Sequence, residues 1–195
     1  MNCANIRKAL GRIAWAYLII LLHFRINGFD LLPDWVGYAL LFSATGLLSG
    51  ELRDLSLLRP FCVLLGIAAG VDWLAFPLAG ESLTGRFLLL SALISCVSIY
   101  FHFQLLTDLA RLAEEHPAGD GPDPLARRLR IFRNIDAVLS AAKALLGLLP
   151  LPVEGILPEL LLGLSAISWL WMRVAVAFSL FTLRGRFPEA ASSQP

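Results

Sequence analysis

Apolar runs recur along this chain, each near the ~20 residues that cross a ~30 Å hydrocarbon layer as a helix. Short polar breaks separate them. Inside lipid a backbone has to satisfy its own amides and carbonyls, so such runs are helices. The balance of residues agrees: of 195 residues, 57% are hydrophobic and 16% charged, too few charges to coat a soluble domain of this length. The expectation is one all-α domain, a polytopic bundle of six membrane spans.

The spans run roughly over 9–24, 34–50, 61–79, 87–106, 135–149 and 158–183. The fourth continues outward through DLARLAEE, where Leu105, Leu109 and Leu112 keep a helical stripe. Residues 1–116 thus hold spans 1–4 and a helical extension, 117–124 form a Pro/Gly/Asp-rich linker expected to be loose, 125–183 hold spans 5 and 6, and 184–195 are a loose tail. The start resembles a secretory signal, but His23, Phe24 and Arg25 stand where small cleavage-site residues belong. It reads as an uncleaved first span.

Basic residues set the threading. Arg7, Lys8, Arg12, Arg53, Arg59, Arg111, Arg127, Arg128, Arg130, Arg133, Arg184 and Arg186 fall on one side, only Arg25 and Arg86 on the other, and Lys143 and Arg173 lie within spans. Both termini are therefore expected in the cytoplasm. The basic run Arg127–Arg133 suits anionic lipid on that leaflet and serves equally as an orientation signal. The charges are spread over short loops, which does not favour nucleic acid.

The polar interruption between the first two spans holds Asn27, Asp30, Pro33, Asp34 and Gly37. Asn27-Gly28 reads as a left-handed stop for span 1. Pro33 pre-sets the backbone, and Asp34 faces the open amides of the next helix. Asp30 and Asp34 read as caps that balance Arg25 rather than as a cation site.

Three helical faces collect small or polar residues: Ala39, Ser43, Gly46 and Gly50; Ser91, Ser95, Ser98 and His102; Asp136, Ser140, Lys143 and Gly147. Such faces turn inward in lipid, as packing seams or as walls of a hydrated pocket. Gly46/Gly50 and Gly66/Gly70 suit close packing of spans 2 and 3, or association with a second copy or another membrane protein. A buried charge costs at least ~2.5–3.5 kcal/mol at mid-depth and demands a partner. Estimated depths pair Asp72 with Lys143 and Asp136 with Arg173. These four and His102 are the candidate intramembrane polar site. No catalytic constellation, cofactor motif or metal spacing emerges, and Cys3, Cys62 and Cys96 form no ligand set.

The run INGFDLLPDWVGY, Ile26–Tyr38, resembles a signature of uncharacterised multi-span membrane proteins of Gram-positive bacteria, which place Asn, Leu-Pro-Asp, an aromatic residue and Gly between their first two helices. The resemblance implies a bacterial inner-membrane protein and carries no activity. The chain is also similar in size to substrate-binding subunits of energy-coupling-factor vitamin transporters, but Ala14 and Ala16 do not match their Ala-x-x-x-Ala pattern. Six spans also admit two three-span halves of opposite orientation, as in inverted-repeat transporters. The expected function is a small transport-type or solute-binding membrane protein. The alternative is a non-catalytic scaffold or partner subunit.

Overall fold

The computed structural model describes residues 3–21, 25–26, 29–30, 33–50, 52–79, 86–119, 121, 123–148 and 156–187. Among them, six long helices and one short one carry the fold: α1 (Cys3–Leu21), α2 (Asp34–Leu48), α3 (Arg53–Ser56), α4 (Arg59–Ala79), α5 (Leu88–Glu115), α6 (Pro124–Leu148) and α7 (Ile156–Gly185). α1 lies between α2 and α7, α2 also packs on α4, and α5 packs along α6, which leans on α7. The 117–124 linker thus joins the two most extensively packed helices.

Two local expectations change. α1 ends at Leu21, and a small antiparallel ribbon follows, Arg25–Ile26 (β1) against Phe29–Asp30 (β2). With Arg25–Ile26 in a strand, α1 does not run up to Asn27-Gly28, and Asn-Gly between two paired segments is a strong hairpin signal in a sequence. Asn27 itself, and the Asp30 side chain, lie outside the described residues. At α2 the N-cap is Pro33, with no side-chain cap, and Asp34 is the first helical residue.

The core is built where the basic residues gather. Ile6, Leu10 and Ile13 of α1 meet Leu48, Leu55, Leu58, Leu105, Leu109, Leu129, Leu180 and Leu183 in one buried cluster. Arg7 donates to the Phe187 carbonyl at 3.0 Å, which sets the start of α1 beside the end of α7. The predicted tail is therefore packed as far as Phe187, which is buried.

The opposite half of the bundle turns apolar side chains outward: Leu89 is 85% exposed, Leu93 61% and Val138 68%. Water penalises such a belt, and a membrane accepts it. Among the described residues, two helices, Leu88–Glu115 and the Ile167–Gly185 part of α7, are long and apolar enough to cross a membrane. Only 17% of the apolar window in α5 is buried, whereas the core helix of a soluble protein would be mostly buried. Three other long helices, α1, α2 and α6, fall short of that standard for visible reasons. Arg7, Lys8 and Arg12 occupy the first half of α1, α2 has 15 residues, and α6 opens on Arg127–Arg133.

Gly37 sits where α1 and α2 touch. A Cβ there would overlap the Ile20 side chain at Cγ1 and come within 3.2 Å of the Ala16 carbonyl oxygen. Gly37→Ala should cost about 1–3 kcal/mol, the usual penalty for overpacking, read as a lower unfolding midpoint in detergent. An unchanged midpoint would mean that the helices do not approach this closely.

Candidate functional site

The polar face of α5 defines the site. Ser91, Ser95, Ser98 and His102 all line one cavity of about 500 Å³. Ser140 and Lys143 of α6 face them, joined by Asp34 and Tyr38 of α2, Asp72 of α4, and Trp169 and Arg173 of α7. The lining runs from Leu88 to His102, about 21 Å along the α5 axis at 1.5 Å per residue. That is well over half of a ~30 Å apolar layer. Beyond His102 the buried Leu105, Leu106 and Leu109 continue the same helix into the core.

The deep end is the most constrained part. Arg173 Nη2 lies 3.2 Å from Asp136 Oδ1, and both side chains are 5% exposed. Arg173 Nη1 stands 3.4 Å from His102 Nδ1 and 3.3 Å from Nε2, too even a split for one lone-pair-directed bond. The Tyr17 hydroxyl is 3.1 Å from His102 Nδ1. The guanidinium carbon is 5.2 Å from the Tyr17 ring centroid and 4.9 Å from that of Trp169. A carboxylate, an imidazole and two aromatic faces therefore replace the water that this cation has lost. Desolvated cation–π contacts add ~2 kcal/mol each.

Lys143 lies nearer the mouth, with Nζ 5.5 Å from the Trp169 ring, so this indole is flanked by two cations. The wall is thus amphoteric: carboxylates from α2 and α4, cations from α6 and α7, and hydroxyls from α5 and α6 between them. Such a surface holds a small polar or zwitterionic molecule by charge at both ends, with indole as an apolar face.

Of the five sequence candidates, Asp136 and Arg173 form the expected ion pair. Asp72, Lys143 and His102 share the cavity with Arg173. Four residues join them that sequence reasoning assigned elsewhere or passed over: Asp34, Tyr38, Trp169 and, through His102, Tyr17. Asp34 and Tyr38, like Trp169 and Arg173, are four apart and share a helical face, a signal available in the sequence. Tyr17 carries no comparable signal.

The other candidates take structural places. Gly66 and Gly70 face the Cβ atoms of Tyr38 and Trp35 on α2, at 3.4 and 3.8 Å from where their own would be. Gly46 faces the Arg59 guanidinium, and Gly50 meets nothing within 4 Å. Within the basic run, Arg130 pairs with Glu114 at 2.7 Å. Arg133 lies over the Phe103 ring and donates to Thr107 and Asn134, while Arg127 and Arg128 are exposed.

The linker end is also fixed. Arg186 donates to both Asp123 carboxylate oxygens, at 2.6 and 2.9 Å, and to the His116 carbonyl at 2.9 Å. Asp123 Oδ1 accepts from the Leu125 amide at 3.2 Å, capping α6. These bonds hold the Asp123 carboxyl below the usual carboxylate range, led by the Arg186 hydrogen bond and opposed by desolvation. Among the described residues, no three His, Cys, Asp or Glu side chains cluster as metal ligands. Comparison with known protein families, curated proteins and solved structures finds no match for this chain.

Proposed function

We propose that this chain is a six-span protein of the bacterial inner membrane, with both termini cytoplasmic, that binds a small polar solute in the α2/α4/α5/α6/α7 cavity as a transport-type or solute-binding protein. The outward apolar belt and the gathering of basic residues at one end of the bundle support the placement. The Ile26–Tyr38 signature supports the bacterial source. The observation that carries the function is the cavity itself: a volume of mixed lining into which Asp34, Asp72 and Lys143 bring charge and which reaches a buried ion pair. A bundle serving only as a scaffold has no use for such a volume. Gly66 and Gly70 approach α2 of the same chain, which weakens the glycine argument for a partner subunit.

Thermal unfolding of the purified protein across a panel of amino acids, small carboxylates and amines tests this reading. A solute present at 100 times its Kd adds about 2.7 kcal/mol of stability. One chemical class should raise the midpoint, and Lys143→Met should abolish the rise while leaving the unliganded midpoint near the parent's. A panel that leaves the parent unmoved throughout would favour the partner-subunit reading.

A further inference from the structure

A second site stands apart from the central cavity, between the first half of α1 and the last turn of α7. We propose that this groove binds the phosphodiester headgroup of an anionic phospholipid, with an acyl chain running along Trp15, Ile19 and Leu40; this rests on the membrane reading above. The groove holds about 400 Å³, and its described lining has Arg7, Lys8, Arg12 and Arg184 but no carboxylate. Cations gathered here from the two ends of the chain raise the local positive potential, which an anion seated among them lowers.

The guanidiniums are also pre-oriented. Arg12 is held by the Ser43 hydroxyl and Arg7 by the Phe187 carbonyl. Arg184 lies across α1 at Gly11, where a Cβ would stand in ordinary contact, 3.5 Å from Arg184 Nε and Nη1. The Arg184 Nε is buried and has no hydrogen-bond partner in the protein. A planar guanidinium fork matches a phosphate bidentately. The groove then changes character along α1. From Arg7 to Ile19 is about 18 Å of helix, running from charge to apolar wall. Trp15 is 56% exposed and set edge-on to Phe181 at 6.0 Å. Free phosphate makes no use of that wall, whereas a lipid tail does. In the Arg127–Arg133 run, by contrast, Arg130 already has a carboxylate partner in Glu114.

Phosphatidylglycerol with brominated acyl chains, titrated into the protein in detergent, reads the site through tryptophan quenching. Quenching should saturate, should lose its largest share in Trp15→Phe, which keeps every charge, and should be much weaker with brominated phosphatidylcholine. Arg12→Gln with Arg184→Gln should weaken binding about thirtyfold, while Arg127→Gln with Arg128→Gln should leave it unchanged. Equal quenching by both lipids, loss confined to the Arg127/Arg128 variant, or quenching indifferent to Trp15 would overturn the proposal. Displacement of the lipid by millimolar inorganic phosphate would overturn it in favour of a free-anion site. Alkaline carbonate washing of membranes separates the two readings: a chain released by it ends the membrane assignment, and a chain retained without lipid selectivity ends only this one.

Discussion

Asp136→Leu alone should lower the unfolding free energy by about 3–5 kcal/mol, and Asp136→Leu combined with Arg173→Met should return most of that loss. The single change leaves a guanidinium 5% exposed with its carboxylate gone. His102, Tyr17 and Trp169 remain beside it, but none supplies a negative charge. Removing both charges trades the ion pair for apolar volume, and replacements of that kind are often neutral or stabilising because two desolvation costs vanish together. Thermal or denaturant unfolding in one detergent gives both numbers. A single variant as stable as the parent would mean that the pair is not buried. The double variant also separates structure from function. If Arg173 serves the solute, the folded double variant should lose the solute-induced rise in midpoint. If the pair only sets helix register, the rise should survive.

How much of this site the sequence discloses depends on the kind of signal each residue carries. Ser91, Ser95, Ser98 and His102 are legible because one helix supplies them all, and helical spacing alone puts them on one face. Asp136 and Arg173 are legible because charge in an apolar run needs a partner, and rise per residue puts them at matching depth. Asp34 reads from the sequence as a cap, not as part of the polar site. A carboxylate after Pro33 fits a helix start, and only the lean of α4 and α5 toward α2 shows that it lines a cavity. Trp169 is marked only by its four-residue spacing from Arg173, and Tyr17 sits in an apolar run, where an aromatic residue carries no signal. That Tyr17 meets His102, 85 positions away, is a fact of tertiary packing. The α1–α7 groove is hidden for the same reason, since Gly11 and Arg184 gain meaning only once the chain ends are brought together. The ribbon is not legible because Asn-Gly suits both helix stops and hairpin turns, and two-residue strands show no period. The packed 184–187 segment was hidden by its polar composition, since nothing local says that Arg186 has a carboxylate waiting.

That carboxylate makes the second large effect. Arg186→Met should destabilise the protein by about 3 kcal/mol near neutral pH, with the loss shrinking in acid. Arg186 ties three places together: the end of α5 through the His116 carbonyl, the start of α6 through Asp123, and the end of α7 from which it projects. The Asp123 side chain is 1% exposed, so its charge has little water to fall back on once Arg186 is gone. The sign of the pH dependence follows from the depressed Asp123 carboxyl. The folded state gives up this proton more readily than the unfolded chain does, so the contribution is complete above the unfolded value of about 4 and declines as pH falls through the lower folded value. The gap between parent and Arg186→Met should therefore stay flat from about pH 5 to 8 and close below about pH 4. Asp123→Asn tests the same contact from the other side. It keeps a side-chain oxygen that can cap α6 through the Leu125 amide but loses the charge, so its deficit should fall below that of Arg186→Met; the variant lacks the acid-range decline that Asp123 gives the parent, so this gap too should close below about pH 4. A gap that persists undiminished at low pH would show that Arg186 is held by the His116 and Ala113 carbonyls, which do not titrate, and that the carboxylate is incidental to the junction.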